Sequence, residues 1–226
     1  MSPEIKTISL DGTNCYLVQL EDGYILIDTT FPFQRGELEA ALQKEGCQPG
    51  NFNLIVATHG DIDHTGNCAY LREEYAVRIA MHAGDTEMCL KDGITRERGK
   101  LPEDFPRLLM VLWLLKGLWR FTIRQALLGK PFEPFEPDLL LEEGQSLAEY
   151  GFDATILYTP GHSQGSISIL TAAGDLICGD MFNNVGGRIL ISAEEGGFER
   201  LKALGIKTVY PGHGEPFLME QLTNRG

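Results

Sequence analysis

The chain has 226 residues, 43% of them hydrophobic and 23% charged, which fits one large α/β domain or two small ones with a buried core and is unlike a disordered or fibrous composition. A formal net charge of −13 argues against nucleic acid as a partner and suits a protein that holds cations. The five cysteines (Cys15, Cys47, Cys68, Cys89 and Cys178) are odd in number and form no Cys-x-x-Cys pair, so free buried thiols in a reducing compartment are expected rather than a disulfide framework or a cysteine zinc site.

The N-terminus, Met1-Ser2-Pro3-Glu4-Ile5-Lys6, lacks the basic start and apolar stretch of a signal peptide, so the cytoplasm is the expected location. Two apolar runs, Ile5 to Leu10 and Cys15 to Leu20, flank the turn signal Asp11-Gly12 and predict strands. Gly23 to Asp28 predicts a third strand ending in an acid. Leu38, Ala41 and Leu42 give Arg35 to Glu45 a helical period, with Gly46 as its stop.

Asn53 to Thr58 is a continuous apolar run, the pattern of a strand buried on both faces, and it leads directly into His59. Gly66 to Tyr75 predicts a helix, and Ala76 to Met81 a strand ending at His82. Strand, helix and strand in this order point to a layered α/β architecture.

Residues 83 to 137 break the pattern. Leu101 to Gly129 is rich in large apolar residues, including Trp113 and Trp119, and reads as one or two amphipathic helices. Lys116, Arg120 and Arg124 would share one helix face. This insert could roof a pocket with its basic face toward an anionic substrate, form a homodimer interface or a core helix whose basic stripe is merely solvated, or dock on an anionic membrane surface. Its longest apolar run, Leu108 to Leu115, is far short of the roughly 20 residues of a membrane span. Strands return at Ala154 to Tyr158, Ser166 to Thr171, Leu176 to Gly179 and Ile206 to Tyr210.

The histidines concentrate at strand ends. His59, His82, His162 and His213 each follow a predicted strand directly, and His64 shares the loop of His59. Strand-end loops at one edge of an α/β sheet are where ligand groups converge. His59-Gly60-Asp61-Ile62-Asp63-His64 places four metal donors in six residues. Alternation along an extended loop would put 59, 61 and 63 on one side and 64 on another. One ion cannot easily take all four, but two adjacent ions can, His59 and Asp61 on one and Asp63 and His64 on the other. His162, Asp180 and His213, at the later strand ends, would complete the set, with Asp180 bridging. Imidazole and carboxylate donors suit zinc, iron or manganese.

These residues carry a resemblance. The chain resembles the metallo-β-lactamase superfamily, whose first motif is His-x-His-x-Asp-His, followed by a Pro-Gly-His loop, a Gly-Asp at a strand end and a final Pro-Gly-His-Gly. The counterparts here are residues 59–64, Pro160-Gly161-His162, Gly179-Asp180 and Pro211-Gly212-His213-Gly214. The likeness covers residues 5–82 and 138–217. It implies a four-layered αββα sandwich, with residues 1–226 forming a single domain that carries a helical insert at about 83–137.

The resemblance also implies a binuclear zinc hydrolase acting on a small-molecule substrate. A hydroxide bridging the two metals would attack an ester, thioester, lactone, amide or phosphodiester, and Asp63 would orient it and pass on its proton. An acid after the early strand, here Asp28, supports the metal loop in the family. His82 is expected at the pocket rim or in a structural role. One departure is Asp61, where the family has its second histidine. Members with Glu there, such as flavodiiron proteins, bind iron, so an oxygen donor at this place draws the preference toward iron or manganese. Iron-dependent oxygen or sulfur redox chemistry on the same fold is therefore the alternative.

Overall fold

A computed structural model describes residues 3–91, 93, 131–194 and 196–223. The predicted helices of 101–129, with Lys116, Arg120 and Arg124, lie outside the described residues.

The N-terminal half forms a six-stranded sheet whose strands lie in chain order: β1 (Glu4–Leu10), β2 (Thr13–Leu20), β3 (Gly23–Ile27), β4 (Phe52–Val56), β5 (Ile79–Met81) and β6 (Leu139–Leu140). The first three pair antiparallel through short turns, with Ile8 opposite Cys15 and Val18 opposite Ile25. From β3 to β6 the pairing is parallel, because longer crossovers intervene. The first crossover carries helix α1 (Arg35–Lys44), and the second carries the single turn α2 (Ile62–Thr65) and α3 (Cys68–Tyr75). A further turn, α4 (Thr86–Cys89), follows β5.

The second sheet has the order β13-β12-β9-β8-β7. Its strands are β7 (Ala154–Tyr158), β8 (Ile167–Thr171), β9 (Asp175–Ile177), β12 (Thr208–Tyr210) and β13 (Phe217–Leu218). A hairpin, β10 (Phe182–Val185) and β11 (Arg188–Ile191), and helix α5 (Gly197–Lys202) lie between β9 and β12, which are parallel. The chain continues past β13 into α6 (Glu220–Thr223).

Period-two alternation decides what each sheet face touches. On β3 and β4, Leu26 and Ile55 pack against Leu38 and Leu42 of α1 and Leu71 and Tyr75 of α3. Ile25, Ile27, Leu54 and Val56 point the other way, onto Ile156, Ile167, Ile169 and Ile177 of the second sheet. The far face of that sheet buries Leu176 and Val209 against Leu201 of α5. The layers therefore run helix, sheet, sheet, helix, the expected αββα sandwich. Each of these fully buried aliphatic side chains contributes roughly 1.5–3 kcal/mol.

Several predicted elements come out shorter, among them the strand expected over Ile206 to Tyr210, which begins at Thr208. The helix expected over Gly66 to Tyr75 begins only at Cys68, because Asn67 departs from helical geometry as its N-cap. The strand expected from Ala76 begins at Ile79, because Ala76 takes a left-handed conformation (φ 53) that ends α3. Among the described residues no helix is long and apolar enough to cross a membrane.

Candidate metal centre

The loops after β4, β7, β9 and β12 meet at one edge of the sandwich. They bring together His59, Asp61, Asp63, His64, His162, Asp180 and His213. Three sets of donor atoms each lie within 4.8 Å of one another: His59, Asp61 and His162; Asp63, His64 and His213; and His59, His64 and Asp180. The first two sets divide the 59–64 loop as the sequence suggested, but not for the expected reason. Alternation stops at Asp61, which is extended (φ −66, ψ 145) and caps α2; Asp63 and His64 then project from a helical turn.

Asp180 lies between the two sets. Its Oδ1 is 3.3 Å from both His64 Nε2 and His213 Nε2, while its Oδ2 is 3.7 Å from His162 Nε2. Within the first set, Asp61 Oδ2 is 2.9 Å from His162 Nε2 and 3.6 Å from His59 Nε2. Within the second, Asp63 Oδ2 is 3.4 Å from His213 Nε2 and 3.7 Å from His64 Nε2. Four donors at ~2.1 Å around a tetrahedral ion stand about 3.4 Å apart, so most of these separations match an ion-binding polyhedron better than a hydrogen-bonded cluster.

The hydrogen bonds around the rings fix which nitrogen faces inward. His64 Nδ1 donates to Asp28 Oδ2 at 2.8 Å, and His213 Nδ1 donates to Gly12 O at 2.8 Å. His59 Nδ1 lies 3.0 Å from Thr58 Oγ1, which itself donates to Asp28 Oδ2 at 2.8 Å. Each of these Nε2 atoms thus faces the centre, where its lone pair is available to an ion that replaces the proton. His59 Nε2, His64 Nε2 and Asp180 Oδ1 are buried without a hydrogen-bond partner. Three orphaned acceptors side by side would be costly unless a cation lay among them. The donor set therefore fits divalent metal. Two such ions would also offset the four carboxylates Asp28, Asp61, Asp63 and Asp180.

Electrostatics agree with this. Burial opposes a charge on His64, yet Asp63, Asp28 and Asp180 outweigh it and raise its pKa well above the ordinary range. His213 is pushed up to about 9, with Asp180 and Asp63 again outweighing burial. Burial works against ionised Asp61, but His162 and His59 hold its carboxyl well below the usual range. Protons on the imidazoles here stand in for the positive charge that this cluster of carboxylates demands.

Local backbone supports the arrangement. Asp28 adopts φ 63 at the end of β3, which turns its carboxylate to accept from Thr58 N at 2.8 Å as well as from His64. Asn14 Nδ2 and Tyr16 Oη on β2 donate to Pro211 O, at 3.0 and 2.5 Å, and hold the His213 loop against the first sheet. A Cβ on Gly212 would lie 2.2 Å from Asp180 Oδ1, so that position admits only glycine. His82 stands outside the three donor sets; its Nδ1 accepts from Gly84 N and its ring stacks on Tyr158 at 4.5 Å. Thr13, Thr58 and Asn67, which sequence reading did not single out, also shape the site. Thr13 Oγ1 donates to Asp63 Oδ2 at 3.3 Å, and Asn67 Nδ2 donates to Thr29 O and Phe31 O beside Asp28.

Exposure is graded. The side chains of His59 and His64 are 1% and 0% exposed and form a floor, whereas those of Asp63 and His213 are 19% and 28% exposed and form an open rim.

The chain matches the family described as "Metallo-beta-lactamase superfamily" over residues 8–213. It is 27% identical over 217 residues to human "Metallo-beta-lactamase domain-containing protein 1", an alignment covering 91% of this chain and 64% of that protein. The chain thus spans less than two thirds of that relative. It is 28% identical over 173 residues to "Hydroxyacylglutathione hydrolase GloC" of Haemophilus influenzae, covering 75% of this chain and 66% of the relative. The solved structure of "BLEG-1 B3 metallo-beta-lactamase" is similar with a TM-score of 0.70 at 20% identity, covering 98% of this chain and 97% of that one.

Proposed function

The chain belongs to the metallo-β-lactamase superfamily, and from that premise we propose that it is a metal-dependent hydrolase with a binuclear centre. His59, Asp61 and His162 would hold one divalent cation, Asp63, His64 and His213 the other, and Asp180 would serve both. The observation that supports this most directly is the paired donor sets with buried, unpartnered His59 Nε2, His64 Nε2 and Asp180 Oδ1 between them. Bound divalent cations would supply Lewis acidity and bring the pKa of coordinated water toward about 7.

The protein's own groups then do the following. The rim formed by Asp63 and His213 admits the substrate, since the floor is closed. Thr13 Oγ1 steadies Asp63 through Oδ2, leaving Asp63 Oδ1 to take a proton from the attacking water and hand it to the leaving group. Water adds to the carbonyl or phosphoryl centre, the bond to the leaving group breaks, and that group departs protonated. An ester, thioester, lactone, amide or phosphodiester would suit this chemistry. A hydroxyacylglutathione is the first substrate to try, because one relative carries that name.

Zinc is the first candidate for the metal. The cytoplasm suits the five cysteines, all buried free thiols. A second reading, iron-dependent oxygen or sulfur redox chemistry, is favoured by one observation: Asp61 puts a carboxylate oxygen against both His59 and His162. Metal analysis of protein purified without added metal, followed by assay with and without oxygen, separates the two. Two zinc or manganese ions per chain and anaerobic turnover support the hydrolase, whereas iron with oxygen uptake supports the redox reading. Protein that takes up no metal would refute both. Asp61→His should move the metal content toward zinc; an unchanged content would refute the role given to that oxygen.

A further inference from the structure

Asp85 closes a short 3-10 turn, Ala83–Asp85, just after β5. It is 1% exposed, yet its carboxylate reaches none of the three donor sets. It spends its acceptors on the loops that carry them. Oδ2 accepts from Gly60 N at 2.9 Å and from Ser163 Oγ at 2.6 Å, and Oδ1 accepts from Gly165 N at 2.8 Å. Gly60 lies between His59 and Asp61, while Ser163 and Gly165 follow His162. One buried carboxylate therefore clamps the two loops that supply the first donor set.

The fit is close on every side. A Cβ on Gly165 would lie 2.5 Å from Asp85 Cγ, and one on Gly60 would lie 3.0 Å from Asp85 Cβ. Ser163 Oγ is further braced by Ser166 Oγ at 2.7 Å. The second donor set is anchored elsewhere, through His64 on Asp28 and His213 on Gly12 O. Asp28 also reaches His59 through Thr58, but the Asp85 bonds above all go to loops of the first set, so a substitution at Asp85 acts directly on that set.

We propose that Asp85 is a positioning residue that fixes the spacing of the His59–Asp61 and His162 loops and so sets the affinity of the first donor set for a divalent cation. This rests on reading the site as a metal centre. Groups that orient metal ligands typically change affinity 10- to 100-fold when removed, and that is the effect expected here on one ion only.

The test is zinc titration of the stripped 226-residue chain against a competing chelator, with bound ions counted by mass spectrometry. Wild type should take up two ions. Asp85→Asn puts an amide NH2 where an acceptor oxygen faces N–H and O–H donors; one ion should weaken about 10- to 100-fold while the other stays tight. The retained ion should match the one kept by His162→Ala, which removes a donor of the first set, rather than the one kept by His213→Ala. Ser163→Ala removes a single bond to Asp85 and should weaken the same ion by less; it carries the test alone if Asp85→Asn does not fold. Equal weakening of both ions would mean a general structural role and would overturn the proposal, as would two ions held as tightly as in wild type. A wild-type chain that binds no ion would instead remove the metal centre itself, and this inference with it.

Discussion

Replacing Asp28 by asparagine tests whether hydrogen bonds behind the histidines control the metal centre. Asp28 faces three buried donors: His64 Nδ1 at 2.8 Å, Thr58 N at 2.8 Å and Thr58 Oγ1 at 2.8 Å. Two carboxylate oxygens accept all three. An asparagine in the same place tolerates the left-handed φ of 63, so the backbone need not move, but it has one acceptor oxygen and an NH2. If the oxygen faces Thr58 N, the NH2 faces His64 Nδ1. That ring must then accept there and carry its proton on Nε2, which turns a metal donor into an N–H. If the amide is reversed, the buried Thr58 N–H meets the NH2 and loses its partner, at about 1–3 kcal/mol.

Either orientation harms the site. Zinc affinity of the Asp63, His64 and His213 set should fall about 10- to 100-fold, or roughly 1.4–2.7 kcal/mol. Chelator competition reads the affinity, and nitrogen NMR of the imidazoles in metal-free protein, recorded at a pH high enough to leave His64 neutral, reads the tautomer. An Asp28→Asn chain with unchanged affinity and unchanged His64 tautomer would refute the argument, because the only alteration would have proved silent.

Other outcomes follow from the same geometry. Asp63→Ala should reduce kcat far more than it raises KM in steady-state hydrolysis; an unchanged kcat would remove Asp63 from proton transfer. In metal-free protein His213 is raised from an ordinary 6.5 to about 9. A group whose pKa is higher in the fold stabilises it fully below the unfolded value and loses that contribution as pH rises through the folded one. The melting temperature of the metal-free chain should therefore decline from about pH 6.5 to about pH 9, while zinc affinity rises over the same window because proton and ion compete for Nε2. A flat melting profile together with pH-independent zinc affinity would contradict both statements.

Much of the site was legible because its donors lie in four short loops, each next to a strong strand signal. Asn53 to Thr58 announces a buried strand, and a histidine follows at once. What the sequence hid depends on tertiary contact. Asp85 is an isolated acid after a strand, and nothing local marks it as the acceptor for Gly60, Ser163 and Gly165. The helical turn at Ile62–Thr65 is hidden by its brevity, so period-two alternation, valid as far as Asp61, misplaces Asp63 and His64. The hairpin of Phe182–Val185 and Arg188–Ile191 did carry a signal. Gly186-Gly187 is a two-residue turn with both φ positive (59 and 85), but polar Asn183 and Asn184 masked the flanking strand.

Each donor set draws two residues from the loop after β4, on the first sheet, and one from a loop of the second: His162 for one set and His213 for the other. Neither half of the sandwich can complete a set alone. An ion bound by all three donors would thus act as a rivet between the two sheets, recognising only the docked arrangement. Binding to the folded chain alone adds stability by mass action, so metal would protect the contact between the sheets. Chelation should then loosen the sandwich first along this edge, where its two halves are joined through ligand loops rather than through the apolar core.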